Sequence, residues 1–206
     1  MFSTPRLITI ALCAALNFAI GAIVYLVKLP IYLDSIGTIL CALLLFPDRW
    51  ASFICAMVAG LTSVAIIGLL VNPFYPWFAF TSVCIAAVSA FITSSGAHIF
   101  RARPAQPGSF AIRVILYGVI TGVIAAIVSA PVVAYLFGGV TGSGSAFIVA
   151  MFLRSGQQLM NAVLLSGLAA DPVDKVIQVL IAALLYRSTP ADFIALVRGS
   201  GMPARA

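Results

Sequence analysis

Residues 146–170, AFIVAMFLRSGQQLMNAVLLSGLAA, decide the fold, because they are long enough to cross a membrane yet carry polar residues where a span is normally apolar. Arg154, Gln157, Gln158 and Asn161 stand at i, i+3, i+4 and i+7, which on a continuous helix is one face. An arginine near the centre of a lone span costs about 2.5–3.5 kcal/mol on insertion scales, and three amides add to that. The stretch is therefore expected to lie at the outer face of a membrane, or to re-enter it, without crossing.

The rest of the chain sets the context for that reading. Of 206 residues, 63% are hydrophobic and only 8% charged, and the mean hydropathy is +1.19, whereas a soluble domain carries about 25% charged residues. The apolar runs approach twenty residues without strand-like alternation, so they predict helices and not barrel strands. Spans are expected over 7–27, 31–46, 50–71, 77–99, 110–137 and 173–190, in one membrane domain covering 1–206, with a structured outer excursion over 138–172. The last span is the short one: its clean apolar part, 173–186, must recruit flanking residues.

Charge distribution selects six spans over seven. With the amino terminus in the cytoplasm, Arg6, Arg49 and the Arg101, Arg103, Arg113 cluster fall inside, and Lys28 falls outside. If 146–170 crossed as well, Arg187, Arg198 and Arg205 would be stranded outside; keeping it on the outer side returns them to the cytoplasm. The net charge of +6, eleven Lys and Arg against five acidic residues, is thus a topology signal and not a nucleic-acid footprint. Cys13, Cys41, Cys55 and Cys84 lie inside apolar runs with no CxxC spacing, which points to neither disulfides nor a zinc site.

Four polar clusters invite a functional reading. The first, Lys28-Leu29-Pro30-Ile31-Tyr32-Leu33-Asp34-Ser35, offers Asp34 as an acceptor and Tyr32 as an aromatic face in a ligand-facing loop; an internal Lys28–Asp34 pair capping the next helix explains it equally well. In the second, Asn72, Tyr75 and Trp77 either line a pocket for a flat ligand or merely anchor the interface as an aromatic belt. The third joins Arg154, Gln158 and Asn161 to the glycine-rich loop 138–144 as a lid, against a helix simply resting with its polar face in water. In the fourth, Asp171-Pro172-Val173-Asp174-Lys175, Asp171 is expected to cap the last span, while Asp174 and Lys175 are expected near Asp34 and Arg154 in one outer pocket. Ala11, Ala15 and Ala19, spaced by four, put a small-residue stripe on the first helix that permits close approach of another helix.

An enzymatic reading finds little to stand on. His98 is the one histidine, Glu is absent, and no GxSxG, HExxH or GxxxxGK[ST] motif occurs. No cofactor or metal is implied.

Residues 29–39 (LPIYLDSIGTI), the Pro-x-x-Trp turn Pro47–Trp50, the run Tyr75-Pro76-Trp77-Phe78-Ala79-Phe80 and the Asp171–Lys175 run together resemble the substrate-binding S components of energy-coupling factor (ECF) transporters. That resemblance implies a compact six-helix protein in a bacterial cytoplasmic membrane, both termini inside, capturing a vitamin or related micronutrient in its outer half. It further implies a transmembrane coupling protein and two ABC-type ATPase subunits as partners, with Ala11, Ala15 and Ala19 matching the face that docks the coupling protein. A stand-alone secondary transporter or channel, and a membrane sensor subunit, remain alternatives from other classes. The topology predicts that a tag on the carboxyl-terminal tail is protected from protease added to intact cells and is cleaved only after the membrane is opened; cleavage in intact cells would refute six spans.

Overall fold

The computed structural model describes residues 2–101 and 107–199, and their side chains except those of 94–101 and 107, so the expectations placed on His98, Arg101, Arg103 and Arg205 fall outside it. Among the described residues the chain is all-helical. Its helices are α1 (Thr4–Val27), α2 (Ile36–Leu45), α3 (Arg49–Leu70), α4 (Ala79–Arg101, preceded by a 3-10 turn over Tyr75–Phe78), α5 (Pro107–Tyr135), α6 (Ser145–Arg154), α7 (Leu159–Ser188) and α8 (Ala191–Arg198). Four stretches, Thr4–Val27, Arg49–Leu70, Tyr75–Thr93 and Gly108–Tyr135, are long and apolar enough to cross a membrane. Large apolar side chains on their outward faces, such as Leu12, Ile23, Leu69, Phe91 and Ile127, are exposed, as a lipid-facing surface requires.

The deciding stretch, 146–170, is not one element. Helix α6 ends at Arg154, Gly156 takes a left-handed backbone (φ 88°), and α7 begins at Leu159 and runs through Pro172 to Ser188. The polar stripe therefore never forms as a single helical face, and the segment between α5 and α7 is α6 with its flanking loops, not the whole of 138–172. A proline within a helix removes one hydrogen bond and costs roughly 3 kcal/mol in isolation. Here packing compensates. A Cβ on Gly118 of α5 would meet the backbone of Val176, and one on Gly122 would meet the backbone of Asp171 and Pro172, so the two helices touch main chain to main chain.

At the opposite end of the bundle from α6, basic residues tie the short elements together. Arg6 Nε donates to the Val197 carbonyl at 3.0 Å and Arg198 Nε to the Leu44 carbonyl at 3.0 Å. Arg198 also reaches the Tyr186 hydroxyl at 3.1 Å, and the Arg187 guanidinium lies 5.1 Å from the Phe110 ring centre. The starts of α1 and α5 and the ends of α2, α7 and α8 thus meet through Arg6, Arg187 and Arg198 at one basic pole. Helix α2 is sealed at the centre: every residue of it except Leu40 is buried. Gly122→Leu is expected to wedge α5 from α7 and to destabilise the protein by at least the ~1–3 kcal/mol typical of overpacking, read as a lowered melting temperature in detergent. An unchanged melting curve would contradict this packing.

Candidate functional site

Between α1 and α2 the chain stops being helical. Lys28 closes α1 in a left-handed conformation (φ 58°), Pro30 favours extended backbone before it, and Leu33 is again left-handed (φ 51°). The resulting strap, 29–35, is exposed at Leu29 and Pro30 and then turns in between the helices, where its amides need partners outside the strap. Helix α7 supplies them from its middle. Asp174 Oδ1 accepts from the amides of Tyr32 (3.1 Å) and Leu33 (3.0 Å), and Gln178 Oε1 accepts from the amide of Ser35 (3.0 Å). Farther along, Asn17 of α1 accepts from the Gly37 amide at 2.6 Å and donates to the Thr38 hydroxyl at 2.9 Å.

The other oxygen of Asp174 builds the charged part of the site. It takes hydrogen bonds from Lys175 Nζ and Gln178 Nε2, each at 2.8 Å, and Lys175 Nζ also lies 3.5 Å from Asp34 Oδ1. Asp34 accepts in addition from the Tyr75 and Ser35 hydroxyls. Asp174 and Gln178 are fully buried and Lys175 is 3% exposed, a burial that ions survive only when paired and hydrogen-bonded. The Lys28–Asp34 pair does not form; Asp34 is matched instead by a lysine far along the chain.

These groups face a cavity of about 610 Å³, counted out to its open mouth. The strap contributes Tyr32 and Asp34, α7 contributes Asp171 and Lys175, and Tyr75 and Phe78 set two rings 5.6 Å apart at 54° on one side. Apolar wall comes from Val64, Ile67 and Ile85, and hydroxyls from Ser63, Thr81 and Ser129. A smaller adjoining cavity, about 310 Å³, shares Tyr32, Ser129 and Asp171 and ends at Ser145 of α6. There the Tyr32 hydroxyl bonds Ser145 at 2.8 Å within a Thr141, Ser143, Ser145 hydroxyl chain that fastens the 138–144 loop over the strap. The mixture of apolar wall with few convergent polar groups is that of a small-molecule site.

Of the residues singled out from sequence, Tyr32, Asp34, Tyr75 and Lys175 line the cavity, and Asp174 stands directly behind Lys175. The others lie elsewhere. Arg154 ends α6, Gln158 caps α7 and Asn161 is in its first turn; all three are exposed and none lines either cavity, because the break at Gly156 turns them outward. Trp77 is 58% exposed, while Asn72 is buried in a structural role, accepting from the Phe74 amide and donating to the Tyr25 hydroxyl. Asp171 caps nothing: it sits inside α7, and its cavity position was missed along with those of Thr81 and Ser129. Reading 167–178 as helix interior would have exposed the signal, since Asp171, Asp174, Lys175 and Gln178 follow i, i+3, i+4, i+7.

Compared with protein-family models, with curated proteins and with solved structures, the chain finds no match. The site must therefore be interpreted from its own chemistry. Lys175→Met leaves the fully buried Asp174 and the partly buried Asp34 without their cation and is expected to cost about 3–5 kcal/mol of stability; Asp174→Asn in the same chain should recover part of the loss. A melting temperature unmoved by Lys175→Met would show that the pairing contributes nothing.

Proposed function

We propose that this chain is a membrane-embedded, substrate-binding subunit of the ECF type, capturing a vitamin-like organic micronutrient from the outer side for uptake driven by partner ATPases. The observation that carries the proposal is the cavity itself: a charged, aromatic-walled hollow roofed by a non-helical strap in a chain whose other helices fit a lipid environment. In hydrocarbon, such backbone is tolerated only where protein buries it or where it lines a cavity, and buried ionisable groups at that depth mark solute pathways.

Six crossings suit this reading. Besides the four long apolar helices, α7 would cross with its polar residues turned inward, its 30 residues reaching about 45 Å. Helix α2, only 10 residues and so about 15 Å long, would complete its crossing through the strap. The basic pole then faces the cytoplasm of a bacterial cell, with both termini there, and the cavity, α6 and the 138–144 loop belong to the outer half. Ala11, Ala15 and Ala19 are all exposed on α1, an uncovered small-residue face suited to a coupling protein. The absence of any nucleotide-binding motif agrees with energy supplied by separate ATPases.

Affinity purification of the tagged chain from its own membrane is expected to bring down a transmembrane coupling protein and ABC-type ATPases, together with a small molecule released on denaturation. Ala15→Leu should lose the partners and keep the small molecule. Uptake by vesicles holding this chain alone, following an ion gradient without ATP, would instead establish a secondary transporter.

A further inference from the structure

We infer that the cavity is built for an organic cation, one whose N–H groups are received by Asp171 and Thr81 while a flat apolar body lies against Tyr75, Phe78 and the α3–α4 wall. The inference rests on the reading of this hollow as a solute site and specifies the charge of the solute.

The first support is the local balance of charge. Three carboxylates, Asp34, Asp171 and Asp174, face one ammonium, Lys175, and that ammonium is already engaged by Asp174 at 2.8 Å and Asp34 at 3.5 Å. Among the described residues the charged side chains that line either cavity are Asp34, Asp171 and Lys175, with Asp174 behind Lys175. An anionic solute would meet at least one carboxylate in excess and a lysine with little charge left to offer; a cationic one would bring the cluster closer to neutrality. In a site of low effective dielectric that difference is large.

The second support is independent of the first and concerns vacant hydrogen-bonding capacity. Asp171 is 7% exposed, lines both cavities, and makes no hydrogen bond or ion pair among the described residues. Its Oδ2 lies beside Gly167, 3.6 Å from where a Cβ would stand there, an ordinary van der Waals distance. Thr81, 8% exposed on α4, has a hydroxyl oxygen with no partner. By contrast the serines beside them are occupied, Ser63 on the Gly60 carbonyl at 2.8 Å and Ser129 on the Ala126 carbonyl at 3.4 Å. A buried carboxylate left unpaired is expensive, and the group that removes the cost is a donor bearing positive charge. A bare metal ion fits less well, since no cluster of three His, Cys, Asp or Glu suited to a metal occurs among the described residues, and six of the twelve lining residues named above are aromatic or aliphatic.

The test uses the full chain in detergent at pH 7 with three probes on one frame: phenethylammonium, 2-phenylethanol and phenylacetate. Phenethylammonium is expected to raise the melting temperature in a saturable way, phenylethanol less, and phenylacetate not at all. Asp171→Asn should weaken phenethylammonium about tenfold or more while sparing the small phenylethanol response, and Thr81→Val should weaken it to a lesser degree. If the Asn variant does not fold, the ranking of the three probes on the unaltered chain still decides. Equal or stronger stabilisation by phenylacetate, no response to any probe, or an undiminished cation response in Asp171→Asn overturns the inference. Preference for phenylacetate in a chain that still purifies with its ATPase partners would leave the subunit reading standing and remove only the charge assignment.

Discussion

The structure depends on one carboxylate. Asp174 holds the amides of Tyr32 and Leu33 with one oxygen and the Lys175 ammonium and Gln178 amide with the other. Through the first oxygen it lets a non-helical strap enter the bundle; through the second it sets the cation that draws Asp34 into the cavity. Architecture and site chemistry are thus coupled at a single buried group, and neither can be altered there without disturbing the other.

Main-chain contact between α5 and α7 makes this placement possible. Where Gly118 and Gly122 bring α5 against Val176 and Pro172, α7 is fixed in rotation, and its polar face turns toward the strap and the cavity instead of toward the bundle exterior. At the other pole, Arg6 and Arg198 bind the ends of α1, α2 and α8 through carbonyls that helix ends leave unpaired. One end of the molecule is therefore closed by basic side chains, and the other is roofed by hydroxyls running from Thr141 to Tyr32.

Much of the candidate site was legible before any coordinates. Asp34, Tyr32 and Tyr75 stood out because polar and aromatic residues beside a proline break in an apolar chain demand an explanation, and Lys175 because an ionisable residue in such surroundings is costly. Arg154, Gln158 and Asn161 misled for a definable reason: helical spacing was assumed across Ser155-Gly156, where a left-handed glycine ends the helix. The same assumption, applied in the other direction at Pro172, hid the true stripe. A proline was read as a helix start, and Asp171 beside it as a cap, although close packing on Gly122 carries the helix straight through.

By itself the sequence determined the all-helical class and the apolar surroundings that its helices fit, because hydropathy and the scarcity of charge are sums over residues and do not depend on how helices meet. The sequence placed Asp34 near Asp174 and Lys175, and only the tertiary structure decided how they pair and which other polar residues join them. Pairing Asp34 with Lys175 and seating Asp171 and Thr81 at one cavity require the rotation of α7 about its axis, and that rotation is set by the contact of two glycines with a neighbouring backbone, to which no local pattern in the chain is sensitive.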